Sequence, residues 1–215
     1  MQLGVSSFTF TWAIGIPGYP PDHPMTALDL LDKAASLGLS LVQICETLPL
    51  DQLSPVELNT FEKRASELNI SVEVGTRGIG PDRLRTYLGL ARRLKSPILR
   101  VVIDTADHHP SPDEVVSTLK PLMSEFERAR ICLAIENHDR VRAQTLAQII
   151  ERVGSDFVGV CLDTANSFGA LEGPDVVVKA LGPRTVNLHV KDFVVQRAAT
   201  SWASVSKAVR PARGS

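Results

Sequence analysis

Three apolar runs each end in a residue able to ligate a metal: Ala134-Ile135-Glu136-Asn137-His138, Val160-Cys161-Leu162-Asp163-Thr164 and Asn187-Leu188-His189-Val190-Lys191-Asp192. Glutamate, aspartate and histidine arrive in that order, spaced as one strand-plus-helix unit is spaced. Two carboxylates and an imidazole at the C-terminal tips of successive parallel strands can converge on one divalent cation, and those tips form the reactive face of a (β/α) barrel. Hard oxygen donors with one imidazole suit Mn²⁺, Mg²⁺, Co²⁺ or Zn²⁺. Taken singly, each residue has a plainer explanation: a surface carboxylate for Glu136, a turn cap for Asp163 ahead of Thr164-Ala165-Asn166, a satisfied core histidine for His189. Their common position in three consecutive units favours a metal site.

Other residues join the same face. His138 and Lys191 each lie two positions past an expected ligand, and the period of two in an extended chain aims them towards the same cleft. Lys191 either steadies an enolate or carboxylate or is a solvated rim charge. Glu46, at another strand end, either binds a substrate hydroxyl or shapes the face. Phe8, Phe10 and Trp12 follow the first strand, where they form an aromatic wall for a small polyol or plug the barrel mouth. Glu73 and Arg100 fall inside strands and are expected to form an interior ion pair. Asp192 reads as a loop residue rather than a fourth ligand, and His108-His109 as a solvated loop pair.

Strand-like and helix-like stretches alternate to position these groups. Strands are expected at Gln2 to Ser7, Leu41 to Cys45, Ser71 to Val74, Ile98 to Ile103, Cys132 to Glu136, Val158 to Leu162 and Thr185 to Val190. Most are continuous apolar, β-branched runs, as in a parallel sheet covered by helices. Between them, Thr26 to Leu37 has helical spacing, Ser54-Pro55-Val56-Glu57 is a capping box with proline at the first helical position, and Ser111-Pro112-Asp113-Glu114 repeats that start. Seven such units, without a GxGxxG after the first strand, predict an α/β (β/α)8 TIM barrel lacking its eighth unit. Residues 1–195 are expected to form this incomplete barrel. Residues 196–215, rich in Ala, Ser and Arg, read as an aberrant, poorly ordered tail.

Bulk properties set limits. A chain of 215 residues, 44% hydrophobic and 22% charged, fits one sizeable domain. A net charge of −1 gives no electrostatic reason for a nucleic-acid partner. Cys45, Cys132 and Cys161 are scattered among apolar residues and read as buried thiols of a reducing compartment. No signal peptide or membrane-spanning run is expected, so a cytoplasmic, soluble enzyme or binding domain follows, with no membrane partner and a homo-oligomer compatible.

The motifs IENH (Ile135 to His138), CLDTAN (Cys161 to Asn166) and LHVKD (Leu188 to Asp192) resemble those of the xylose isomerase-like TIM-barrel superfamily, specifically its sugar phosphate isomerase/epimerase members. The similarity covers roughly Leu3 to Val195. The Trp12-Ala13-Ile14-Gly15-Ile16-Pro17-Gly18 stretch is similar to a subgroup that includes 3-oxo-isoapionate decarboxylase, a sugar-acid enzyme. The resemblance implies that Glu136, Asp163 and His189 are metal ligands and that Glu136 shuttles a proton. It also implies a fourth ligand, a glutamate on strand eight, for which this sequence has no counterpart. The expected function is a divalent-metal-dependent isomerase or epimerase of a small ketose or sugar acid, working through an enediolate and impaired in this chain. The alternative is decarboxylation of a 3-oxo sugar acid. A DNA-repair enzyme of the endonuclease IV type shares the barrel, but five histidines and near-zero net charge argue against it.

One chosen set of codons for Thr200 to Arg210, read one frame over, yields a strand-eight-like stretch containing Ile-Glu-Gly. A frameshift just after Gln196 is therefore expected, and sequencing the gene without finding that open frame downstream removes the idea.

Overall fold

The computed structural model describes residues 2–197 and 204–208. In chain order the strands and helices are β1 (Val5–Ser6), α1 (Thr11–Ile14), α2 (Ala27–Ser36), β2 (Leu41–Ile44), α3 (Pro55–Glu67), β3 (Ser71–Arg77), α4 (Pro81–Arg93), β4 (Ile98–Val102), α5 (Pro112–Leu119), α6 (Met123–Ala129), β5 (Cys132–Glu136), α7 (Ala143–Val153), β6 (Val158–Asp163), α8 (Pro174–Leu181) and β7 (Thr185–His189). A separate antiparallel pair follows, β8 (Phe193–Arg197) with β9 (Ser204–Ala208). The helix starts obey their local chemistry. Thr26 and Asp29 cap α2 reciprocally, as do Ser54 and Glu57 at α3, while the Ser111 side chain accepts the Glu114 N–H at α5. The helical stretch after Ser111 divides at Pro121, where a 3-10 turn over Lys120–Leu122 separates α5 from α6.

The seven strands β1 to β7 are parallel and lie side by side in sequence order. Their curvature follows from contacts between strands far apart in that order. Gln43 on β2 and His189 on β7 meet at 2.8 Å, although five strand spacings of a flat sheet span about 24 Å. The sheet is thus curled into a (β/α) barrel with no eighth unit among the described residues, as expected. Among the described residues no parallel strand joins β7 to β1. The outer face of β7 accordingly stays open, with Val186 49% and Leu188 47% exposed. Of the expected aberrant tail, residues 198–203 and 209–215 lie outside the described residues, and Ser204–Ala208 pairs with Phe193–Arg197.

Two interiors of opposite character result. Between sheet and helices lies a dry layer that includes Leu30, Leu31, Phe61, Leu84, Leu119, Phe126, Leu133 and Leu146. Inside the curl the residues are polar: Gln43, Glu73, Arg100, Glu136 and Asp163 are all buried, beside a small apolar cluster of Ile98, Ala134 and Cys161. The outer layer supplies the hydrophobic free energy that holds this arrangement. Leu133→Ala, which empties a fully buried position of that layer, is expected to cost about 2–5 kcal/mol. Urea unfolding checks it through a lower midpoint at unchanged slope.

Candidate metal centre and active site

Strand register decides which side chains share a level inside the curl. Glu136 is opposite Cys161, and Asp163 is opposite His189. The second pairing needs an irregularity. Val160 faces Thr185, yet Cys161 faces Asn187, so β7 carries one extra residue, Val186. Without that bulge Val186 would be opposite Cys161, and Asn187 and His189 would turn to the other side of the sheet. Gly159 makes room for it: a Cβ there would come within 2.8 Å of the Val186 side chain.

The three expected ligands are thereby brought together on one atom. His189 Nδ1 lies 3.2 Å from Glu136 Oε2 and 3.8 Å from Asp163 Oδ2. Glu136, Cys161 and His189 also offer one donor atom each within 4.8 Å of one another, Glu136 being level with Cys161 and one layer below Asp163. Burial drives the Cys161 thiol well above its ordinary pKa, and the thiol hydrogen-bonds Asn187 Oδ1 at 3.3 Å. It therefore acts as a neutral donor. Asp163 accepts the Ala165 and Asn166 N–H groups through Oδ1 at 2.8 and 2.9 Å. Its Oδ2 is buried without a directed hydrogen bond, 2.6 Å from Lys191 Nζ.

These residues fit a divalent cation. Arg100 and Lys191 each offset one carboxylate charge, but His189 Nδ1 facing the two oxygens is attracted to them only when a proton or cation lies between, and Asp163 Oδ2 is a buried acceptor without a directed hydrogen bond. A proton on Nδ1 or a metal ion meets the need, and hard oxygen with imidazole nitrogen is a donor set for Mn²⁺, Mg²⁺, Co²⁺ or Zn²⁺.

Arg100, 2% exposed, is the charge that sequence reading misplaced. It was expected to pair with Glu73; instead Nε donates to Glu136 Oε2 at 2.5 Å and Nη1 to Glu46 Oε2 at 2.7 Å. Gly75 makes this path open, since a Cβ there would approach the Arg100 Cδ within 3.2 Å and the Cys45 Sγ within 2.8 Å. Glu73 binds Gln43 and Asn187 at 2.9 and 3.0 Å, and burial raises its pKa against those bonds. Burial also pushes the Glu136 carboxyl up, but the hydrogen bond it accepts from His189 when that ring is doubly protonated, together with the Arg100 charge, outweighs it and holds the group well below the usual range.

The remaining expected residues divide. Lys191 is brought in, between Asp163 and Asn166 Oδ1, with its backbone N–H donating to Thr164 Oγ1 at 2.9 Å. Glu46 joins through Arg100 and Arg77, the latter at 3.0 Å. His138 hydrogen-bonds Asp139 at 2.5 Å and makes none of the contacts that join the cluster. The aromatic wall splits: Phe8 lies under the Arg100 guanidinium at 5.4 Å, Phe10 packs on the outer core, and Trp12, 70% exposed, rests against Tyr19.

Four amides were missed. Asn137 clamps β5 to β6 through the Asp163 backbone at 2.6 and 2.9 Å, Asn166 donates to Glu136 Oε1 at 2.8 Å, and Gln43 and Asn187 cross the interior. Asn137 and Asn166 sit within the quoted motifs, and Gln43 is a lone amide in the apolar run Leu41 to Cys45.

Fold, curl and strand-tip cluster define a class. The Xylose isomerase-like TIM barrel model matches residues 31–206, and the chain belongs to that family. It is 34% identical to 3-oxo-isoapionate decarboxylase of Pectobacterium atrosepticum over 199 residues, covering 92% of this chain and 70% of the relative. Solved structures of similar fold include a D-psicose 3-epimerase in the presence of D-fructose, at TM-score 0.71 and 15% identity, covering 89% of this chain and 73% of that one. Another is the D-psicose 3-epimerase of Clostridium cellulolyticum H10, at TM-score 0.68 and 16% identity with the same coverage.

Arg100→Met strands Glu46 and Glu136, and in metal-stripped protein is expected to cost about 3–5 kcal/mol near neutral pH. In the unaltered chain the depressed Glu136 pKa contributes stability above the ordinary glutamate range and loses it as pH falls. The variant's deficit should therefore shrink on acidification, as protons neutralise the stranded carboxylates. Urea unfolding at pH 7 and at pH 4, below the ordinary glutamate value, checks this, and a deficit independent of pH overturns the electrostatic account.

Proposed function

We propose that the chain is a divalent-cation-assisted lyase of a small 3-oxo sugar acid, with isomerisation or epimerisation of a ketose as the second reading. The observation that carries the metal-assisted reading is the meeting of Glu136, Asp163 and His189 around His189 Nδ1 at 3.2 and 3.8 Å. The 34% identity to a relative named as a decarboxylase ranks the lyase first. The epimerase structures, at 15% and 16% identity, support the barrel and no particular substrate.

Glu136, Asp163 and His189 would hold the cation, which would supply Lewis acidity to an oxo oxygen and to the negative charge that develops there. In a 3-oxo acid the bond between the carboxyl carbon and its neighbour breaks, CO₂ leaves, and the electron pair passes to the oxo oxygen as an enolate. The carbon that lost CO₂ then takes a proton. Lys191 holds an ammonium proton at Nζ, 2.6 Å from Asp163, on the side chain that reaches the strand tips with 42% of its surface open to solvent. We assign it the delivery of that proton. Glu46 is assigned to a substrate hydroxyl, its carboxylate fixed between Arg100 and Arg77. Phe8 would form the apolar floor beside it.

The isomerase reading uses the same enolate, formed by loss of a proton to Glu136 instead of loss of CO₂. Arg100 and Asn166 on its two oxygens keep that carboxylate ionised and aimed. No nucleic-acid or membrane partner is assigned. Among the described residues no helix is long and apolar enough to cross a membrane.

Protein supplied with Mn²⁺, Mg²⁺, Co²⁺ or Zn²⁺ should release CO₂ from a 3-oxo sugar acid and lose that activity on chelation. Lys191→Met should lower turnover about 10²–10⁴-fold while leaving cation binding intact. Epimerisation of a ketose without CO₂ release selects the second reading, and neither activity with any of the four ions rejects both.

A further inference from the structure

The barrel interior contains a chain of hydrogen bonds whose directions are all determined, and it ends on His189. Glu73 Oε2 accepts from Gln43 Nε2 at 2.9 Å and from Asn187 Nδ2 at 3.0 Å. Asn187 Oδ1 in turn accepts from Gln43 Nε2 at 3.3 Å and from the Cys161 thiol at 3.3 Å. Both N–H groups of the Gln43 amide are thus drawn to acceptors on β3 and β7, so its oxygen must face the other way. That oxygen is 2.8 Å from His189 Nε2 and also takes the Cys45 thiol at 3.4 Å. An amide oxygen only accepts, so Nε2 must carry the proton. In the neutral ring Nδ1 is then the bare nitrogen, and Nδ1 is the atom that faces Glu136 and Asp163.

We infer that Gln43, oriented by Glu73, is a positioning residue that selects the Nε2–H tautomer of His189 and so directs a free Nδ1 lone pair into the carboxylate cluster. This deepens the metal-site reading and rests on it for its purpose, but the tautomer itself is a property of the cation-free protein. Burial makes the device effective. Gln43 is 5% and Glu73 8% exposed, so water does not compete for these bonds, and a flipped Gln43 amide would turn its oxygen onto the Glu73 carboxylate and the Asn187 amide oxygen. These two acceptors block the flip, and the His189 tautomer follows from it. The arrangement ties the neighbouring strands β2 and β3 to β7, far on in the sequence, which makes it a consequence of the curl and of the bulge that turns His189 inward.

The test compares unaltered protein with Gln43→Met, which keeps length and burial but has no acceptor, and with Glu73→Gln, whose amide oxygen can still accept both bonds at the position of Oε2. Nitrogen-15 NMR of the cation-free proteins, above the titration of the imidazole, reports the tautomer of His189, assigned by its loss in His189→Ala. The Nε2–H form is expected in the unaltered protein and in Glu73→Gln, and a mixture of tautomers in Gln43→Met. Calorimetric titration with Mn²⁺ should then show affinity about 10–100-fold weaker in Gln43→Met and nearly unchanged in Glu73→Gln. An Nδ1–H form in the unaltered protein, or an unchanged tautomer and Mn²⁺ affinity in Gln43→Met, overturns the inference. The Nε2–H form in a protein that binds no Mn²⁺ supports the positioning and rejects the metal-site reading instead, so the two failures are distinguishable.

Discussion

Arg100 brings a full positive charge to the middle of the barrel, where 2% of its side chain meets solvent, and the surrounding structure is arranged around that charge. An unpaired guanidinium at such a depth would be prohibitive. Two carboxylates from different strand ends, Glu46 and Glu136, neutralise it, and the ring of Phe8 lies under its face. Each partner is fixed in turn, Glu46 by Arg77 and Glu136 by Asn166. The charge cannot move without several hydrogen bonds moving with it. Glu136 therefore reaches the strand-tip cluster already ionised and aimed.

The polar interior depends on the apolar exterior. Helices α2 to α8 close a dry layer against the outside of the sheet, and that layer bears the cost of a lumen lined by an arginine, three acids and an amide. Small residues make the lumen passable. Gly75 lets the arginine cross β3, and Gly159 accommodates the Val186 bulge that turns His189 inward. Glycine in a strand weakens it locally, and here it marks the close approach that each crossing needs.

Much of this was legible residue by residue. The capping boxes at Thr26 and Ser54, the proline starts at Pro55 and Pro112, and the buried runs of β4, β5 and β6 act over a few positions, so local chemistry reveals them. Glu136, Asp163 and His189 were legible because they repeat at one place in successive units. Arg77 was not, because Gly75 made β3 look finished at Val74, whereas the strand runs on to Arg77. The Glu73–Arg100 pairing failed for a related reason. Opposite charges on neighbouring strands invite pairing, but the choice among acceptors depends on which way a long side chain can travel.

The sequence by itself determined the alternation of strands and helices, the family motifs and the types of donor at the tips of β5, β6 and β7, since these rest on short-range periodicity and side-chain chemistry. Only the tertiary structure decided that Arg100 serves Glu46 and Glu136, that Gln43 reaches His189 across the barrel, and that one extra residue in β7 puts His189 level with Asp163. Those facts depend on curl and register. Both are set by how distant strands pack together, and a single-residue shift in either reverses the face that every following side chain presents.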